Sequence, residues 1–353
     1  MTATTNRPSA AAKPAATPRP TASPAPAAVP TRASLVNQLR HGAASVIEAL
    51  ATPLVPADYL DLISPLRSGA DLRGRIVAIT PETADAVTIT IRPGRGWRGH
   101  VPGQYIRIGI DIDGVRHWRA YSVTSRVTPP GSTEPLVTVT TKAIPDGVVS
   151  NHLVRQARPG TLVMLDQATG DFTLPTDRPQ RVLFLTAGSG VTPVMGMLRN
   201  HLGELDDIVH VHVAPTKDAV IFGEELRGYA AAGHLTLVER HDDAHGILNL
   251  ADLDTLVPDW RERQAWVCGP TGLLDAAEAL WAERGIAPAL HVERFRPSIV
   301  EPGEGGTITF LNSAIDVEAD GGTPILDAGE SAGVLMPSGC RMGICFGCVV
   351  TMR

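Results

Sequence analysis

The 353 residues carry 31 Lys and Arg against 37 Asp and Glu, a net charge of −6, and 43% of them are hydrophobic. That length allows two or three domains with separate cores, and the acidic balance excludes the basic field that nucleic-acid binding needs. No apolar run reaches the length of a membrane span, and the N-terminus lacks the compact apolar stretch of a secretory signal, so a cytoplasmic location is expected.

Residues 1–33 are mostly Ala, Pro, Thr and Ser, with too little apolar surface to bury, and disorder is expected there. The first carboxylate in the chain is Glu48. A basic tail of this kind suits peripheral contact with an anionic membrane or an acidic partner, or no task beyond solvation. Residues 34–69 form a helical lead-in: SLVNQLRHGAASVIEAL has apolar residues at roughly helical spacing behind Ser34 as N-cap, and PADYLDLISPL follows.

Between 70 and 178 the pattern changes to short alternating strands, RIVAIT, AVTITI, YIRIGI, LVTVTT and TLVML. Strands without intervening helices predict a closed antiparallel barrel. Within it, HWRAYSVTS holds R-x-Y-S. Arg119 has the charge to neutralise a phosphate, and Tyr121 offers a flat face to a conjugated ring. In IPDGVVSNHL, the helix start after Gly147 adds backbone N–H donors suited to a pyrophosphate. Taken alone, R-x-Y-S also fits a surface arginine beside a half-buried tyrosine.

Between 179 and 297 buried strand runs (RVLFLTAG, IVHVHVAP, AWVCGP) alternate with helical stretches (MGMLRNHL, EELRGYA, LLDAAEALWAERG). This predicts a parallel sheet covered by helices. LFLTAGSGVTPVMGML is a strand, a Gly-rich turn and a helix, in which Gly188 and Gly190 let the backbone approach a phosphate and Pro193 suits the first helical turn. It departs from the Rossmann G-x-G-x-x-G, because Pro193 stands at the last glycine's place. After the second strand, Thr216 and Lys217 in VAPTKDAVIF can bind a 2′-phosphate, while the adjacent Asp218 opposes the sign. NADPH is therefore expected, with NADH possible. Cys268 in VCGP has a bland reading too, as a small buried apolar residue.

Residues 298–304 are linker. From 305 to 353 a strand pair, TITFLNSAIDVEA, and a short amphipathic helix, ILDAGESAGV, precede Cys340, Cys345 and Cys348 at C-x4-C-x2-C. That is the spacing of a plant-type [2Fe–2S] loop, and Gly339, Gly343 and Gly347 let the backbone wrap closely round a cluster. Three cysteines in one loop argue for metal binding in a reducing compartment and against a disulfide framework. A zinc site would need another Cys pair or histidines nearby. The cluster needs a fourth thiolate, absent from this chain unless Cys268 is drafted away from its own site. The expectation is a sequence cut inside this domain.

The series GHVPGQYIRI, R-x-Y-S, G-V-V-S, G-S-G-V-T-P, V-C-G-P and C-x4-C-x2-C resembles the ferredoxin–NADP reductase superfamily fused to a C-terminal plant-type ferredoxin. The resemblance implies a Greek-key flavin barrel, an α/β nicotinamide domain and a partial α+β ferredoxin-like β-grasp. It implies that Arg119 holds the flavin phosphates, Tyr121 packs on the isoalloxazine and Ser122 hydrogen-bonds near its reactive nitrogen. Gly147, Val149 and Ser150 would cradle the pyrophosphate, so FAD is expected over FMN. Gly188, Gly190, Thr192, Pro193, Cys268, Gly269 and Pro270 would line the nicotinamide nucleotide, and Glu293 and Phe295 match the E-x-F that closes the domain near the flavin.

Such fused reductases pass electrons from NAD(P)H through FAD and [2Fe–2S] to a terminal oxygenase or a membrane fatty acyl-CoA desaturase. The order of modules and the PADYLDLISPL lead-in are most similar to the desaturase partners of bacteria. Two other readings stay open: a stand-alone flavin reductase or diaphorase that ignores the cluster, and a non-catalytic iron–sulfur sensor. A haem-dioxygenase reductase would need a globin, for which residues 1–50 are too few.

Overall fold

A computed structural model describes residues 63–67, 71–129, 132, 135–145, 147–295, 304–334 and 336. The tail, most of the lead-in, most of the linker and the cysteine loop, and with them the expectations placed there, lie outside the described residues.

The first half is an antiparallel six-stranded sheet: β1 (Arg73–Thr83), β2 (Ala86–Pro93), β3 (Tyr105–Ile112), β4 (Val115–Ser122), β5 (Val137–Lys142) and β6 (Leu162–Leu165), in the order β4-β3-β6-β1-β2-β5. The two edge strands meet where Val123 bridges Val139 and the Thr124 amide donates to the Thr138 carbonyl, which closes the sheet on itself. Alternation along β1, β2 and β3 turns Ile76, Ile89, Ile91, Ile106 and Ile108 into one buried cluster. Helix α1 (Val148–Arg155) plugs it with Val149 and Leu153, each 1% exposed.

The second half is a parallel sheet of β7 (Arg181–Ala187), β8 (Asp207–Ala214), β9 (Thr236–His241), β10 (Gln264–Cys268) and β11 (Leu290–Glu293), in the order β11-β10-β7-β8-β9. Helices α2 (Val191–His201), α3 (Gly223–Ala231) and α4 (Thr271–Glu283) connect them. Near-continuous apolar runs in β7, β8 and β10 suit strands covered on both faces. One face packs on α4 through Leu183, Leu185, Val267 and the Trp260–Trp281 pair, whose rings lie 4.5 Å apart and tilted at 51°. The other packs on α2, and Ala86, Phe172 and Leu174 from the first half join that cluster, so the two halves share a core.

Arg263, 5% exposed, pins the opposite end of the sheet, forking onto Asp207 and Asp259 at 2.8–2.9 Å. Beyond residue 304 a hairpin of β12 (Gly306–Phe310) and β13 (Ile315–Ala319) precedes α5 (Ile325–Ser331). Among the described residues no helix is long and apolar enough to cross a membrane.

Candidate active site

Strand β4 carries R-x-Y-S along its length. Arg119 and Tyr121 are half-buried and Ser122 is buried, at 3% exposure. The Arg119 Nη1 donates to the Trp118 carbonyl at 2.8 Å. Burial pushes the Tyr121 phenol up to about 12, partly offset by its hydrogen bond to Thr141 on β5. It therefore keeps its proton at any ordinary pH, which leaves it a flat face and a hydrogen-bonding group to offer a ligand and not an acid. The Ser122 hydroxyl is out of solvent and has no hydrogen-bond partner. An unpaired buried hydroxyl costs about 1–3 kcal/mol, and such an atom on this strand fits a bound flavin that would supply the missing partner.

The turn before α1 is held by its own side chains. The Ser150 hydroxyl accepts from the Ile144 amide and donates to the Gly147 carbonyl, both at 3.3 Å. Asn151 donates to the Ile144 and Gly147 carbonyls at 2.8 Å. A side chain at Gly147 would fall 2.4 Å from the Ser150 oxygen. Val149 points into the barrel core, so Gly147 and Val149 have only backbone to offer a ligand. Asn151 lies outside the motif.

In an open α/β sheet, ligands lie beyond the carboxyl ends of the strands where the strand order reverses. Here that place is between β7 and β10. Gly188 and Gly190 form the turn after β7, and Cys268, Gly269 and Pro270 end β10. Gly188 has φ +54, and a Cβ on Gly190 would sit 2.1 Å from the Cys268 carbonyl oxygen. Thr192 donates to the Ser189 carbonyl at 2.9 Å, and Thr192 and Pro193 are both buried. Strand β5 of the barrel lies against the 188–190 turn, which brings the Tyr121 partner strand to the mouth of the crevice. Thr216 and Lys217 stand apart in an exposed loop after β8.

Register aligns Glu293, Cys268, Thr186, His212 and Glu239 as neighbours across β11, β10, β7, β8 and β9. Cys268 is fully buried, and burial together with the nearby Glu293 holds its thiol well above the usual range, so it is a thiol and not a nucleophile. Burial pushes Glu293 up to about 8, and its Oε2 has no partner. The Thr186 hydroxyl lies 2.8 Å from His210 Nε2 and 2.7 Å from His212 Nδ1. Both imidazoles are held neutral by burial, His212 down to about 4. Phe295 packs on the cluster under α2. Thr186 and the two histidines were not singled out from the sequence, although histidines at alternate positions in a strand run share one face by the period of two.

Cys340, Cys345 and Cys348 lie outside the described residues, and among those described no group of side chains is suited to hold a metal ion. The oxidoreductase FAD-binding domain family matches residues 95–174, and the 2Fe-2S iron-sulfur cluster binding domain family matches residues 308–353, the span containing the three cysteines.

An NADPH oxidoreductase of Mycobacterium tuberculosis is 48% identical over 318 residues, covering 88% of this chain and 83% of that protein. The ferredoxin reductase component of 3-ketosteroid-9-alpha-monooxygenase from the same species is 30% identical over 301 residues, covering 79% and 80%. Phthalate dioxygenase reductase has the same fold, with a TM-score of 0.57 at 19% identity over 78% of this chain and 84% of that one. With an FAD-binding half, a parallel-sheet half and a 2Fe-2S domain in that order, the chain belongs to the flavin- and iron–sulfur-containing NAD(P)H oxidoreductases.

Proposed function

We propose that this protein takes electrons from NADPH and delivers them, through FAD and a [2Fe–2S] cluster, to a separate terminal oxygenase or fatty acyl-CoA desaturase. The observation that carries the first half of this reading is the buried, unpartnered Ser122 hydroxyl, on a strand linked through Tyr121 and Thr141 to the mouth of the β7–β10 crevice. When bound, FAD would supply an acceptor for the hydride of the reduced nicotinamide and a donor of single electrons to the cluster.

The chain's own residues bind, orient and exclude water. Residues 70–178 form the flavin half, in which Arg119 and the Gly147, Val149 and Ser150 turn hold phosphates, Tyr121 covers the ring and Ser122 donates to it. Residues 179–297 form the nicotinamide half. There Gly188, Gly190, Thr192 and Pro193 present backbone to the pyrophosphate, while Cys268, Gly269 and Pro270 line the nicotinamide. Glu293, with its raised carboxyl, and Phe295 close the site. Thr216 and Lys217 select the 2′-phosphate and so favour NADPH over NADH. Residues 305–353 hold the cluster through Cys340, Cys345 and Cys348.

An oxygenase as acceptor is supported by the 30% identical monooxygenase reductase, and a desaturase by the lead-in and the order of modules. The protein would work in the cytoplasm, its basic tail touching the membrane beside such a desaturase.

Anaerobic titration of the flavin-loaded protein with NADPH, then with NADH, tests the first half. Bleaching of the flavin absorbance at lower NADPH than NADH supports it, and no bleaching by either overturns it. Reconstitution with an oxygenase and with an acyl-CoA desaturase tests the second. If dye reduction proceeds but neither partner turns over, and cluster-ligand substitutions change nothing, the protein is a diaphorase.

A further inference from the structure

Helix α2 begins at the crevice turn and ends against the barrel. Its residues 196, 199 and 200 share one face, at i, i+3 and i+4. All three meet the segment that follows R-x-Y-S. Gly196 lies so close that a Cβ there would be 2.4 Å from the Val123 carbonyl oxygen. Arg199 Nη1 donates to the Thr124 carbonyl at 2.7 Å. Asn200 Nδ2 donates to the Ser125 carbonyl at 3.1 Å, and its Oδ1 accepts from the Val127 amide at 2.7 Å.

Arg199 is itself held from three sides. Glu225 on α3 takes its Nε and Nη2 at 2.9 and 2.6 Å, and Tyr229 donates to the same carboxylate at 2.5 Å. The Phe222 ring lies 4.7 Å from the guanidinium carbon, near enough for a cation–π contact. Phe222 has φ +60, a left-handed conformation costly for a residue with a Cβ. Such strain persists only where the surroundings over-determine it.

We propose that Arg199 and Asn200 are positioning residues for hydride transfer: they lock segment 123–127 to α2, and so fix how far the R-x-Y-S strand stands from the crevice at Gly190 and Cys268. This rests on the reading of that strand and crevice as the flavin and nicotinamide sites. An apolar contact would join the halves equally well but would let them slide. A guanidinium held by its fork on Glu225, with Nη1 aimed at the Thr124 carbonyl, and a bridging amide at Asn200 fix distance and direction together. Reaction between two bound groups is steep in that distance, a 1 Å misplacement costing about 100-fold.

The test uses the flavin-loaded full chain and two variants. Arg199→Lys keeps the charge and loses the fork; Asn200→Asp keeps the acceptor for Val127 and loses the donor. Amide exchange of Thr124, whose N–H pairs with the Thr138 carbonyl, and of Val127, whose N–H is accepted by Asn200, reads without nicotinamide how often segment 123–127 opens away from its partners. Single-turnover bleaching across NADPH concentrations separates the limiting rate from half-saturation. The expected result is unchanged flavin content, exchange at 123–127 faster by about tenfold, a limiting rate lower by roughly 10–100-fold, and half-saturation within about threefold.

A limiting rate within about twofold of the parent overturns the proposal, even if thermal stability falls, because the clamp is then only structural. So does a loss confined to half-saturation. If Arg199→Lys fails to fold or to hold flavin, Asn200→Asp decides on the same terms. A parent protein that binds both cofactors and never bleaches overturns the functional reading instead.

Discussion

Gly190 and Cys268 are in backbone contact across the crevice: a methyl group on Gly190 would stand 2.1 Å from the Cys268 carbonyl oxygen and 2.8 Å from the Gly269 nitrogen. Neither neighbour is a flexible side-chain end that can swing aside. Gly190→Ala must therefore push the β7 turn away from the end of β10, at a cost of about 1–3 kcal/mol typical of overpacking. The expected outcome is a lowered thermal midpoint with flavin retained, and a rise of about tenfold or more in half-saturating NADPH. Calorimetry and NADPH titration check it, and unchanged nicotinamide binding would place the nucleotide elsewhere.

Ser122 makes a prediction of opposite sign for stability. Its hydroxyl is buried without a partner, so Ser122→Ala removes an unsatisfied group from the flavin-free chain. That chain is expected to unfold at the same denaturant concentration or a higher one, by up to about 1 kcal/mol. Flavin reduction by NADPH should slow by roughly tenfold or more, as the loss of one aimed donor implies. A flavin-free chain that is destabilised would show that the hydroxyl serves the fold and not the ring.

The antiparallel half and the parallel half follow from sequence patterns: period-two strands in the first, and buried strand runs alternating with helices in the second. Strand β4 does not announce itself, because VRHWRAYS is mostly half-buried on both faces and lacks the in–out alternation that marks β1 to β3. Edge strand β9, TLVERH, is silent for the same reason. Arg199 and Asn200 sit in a helical run where they look like solvated residues. Their partners Thr124, Ser125 and Val127 lie about 75 positions earlier, and no local pattern encodes a contact at that separation. The motif glycines were legible because close backbone approach leaves a residue-type signature; the side-chain clamp leaves none.

Lys217 is the only lysine in the loop after β8 and is exposed there beside Asp218. Lys217→Glu replaces an attractive charge with a repulsive one for a 2′-phosphate, while the NADH ribose meets a new acceptor. The ratio of kcat/KM for NADPH over NADH is expected to fall by about tenfold or more. Flavin content and dye reduction at saturating NADH should remain. The effect should shrink as salt is raised, since the site is open to solvent.

Glu293 and His212 set opposing pH limbs. The Glu293 carboxyl is pushed up to about 8 by burial. Between its ordinary range near 4.5 and about 8, the unfolded chain has lost the proton while the folded chain keeps it, so stability falls as pH rises through that window. His212, held down to about 4, acts the other way. Below about 6.5 the unfolded chain gains a proton that the folded one refuses, and stability falls as pH drops. Glu293→Gln keeps the shape and removes only the first limb. Measured on the flavin-free protein, its stability relative to the parent should climb steadily from pH 5 to 8, by roughly 3–4 kcal/mol in all, and leave the acid limb intact. A constant difference across that range would mean that Glu293 is ionised in the folded chain, and that the residue proposed to close the site carries a charge, not a proton.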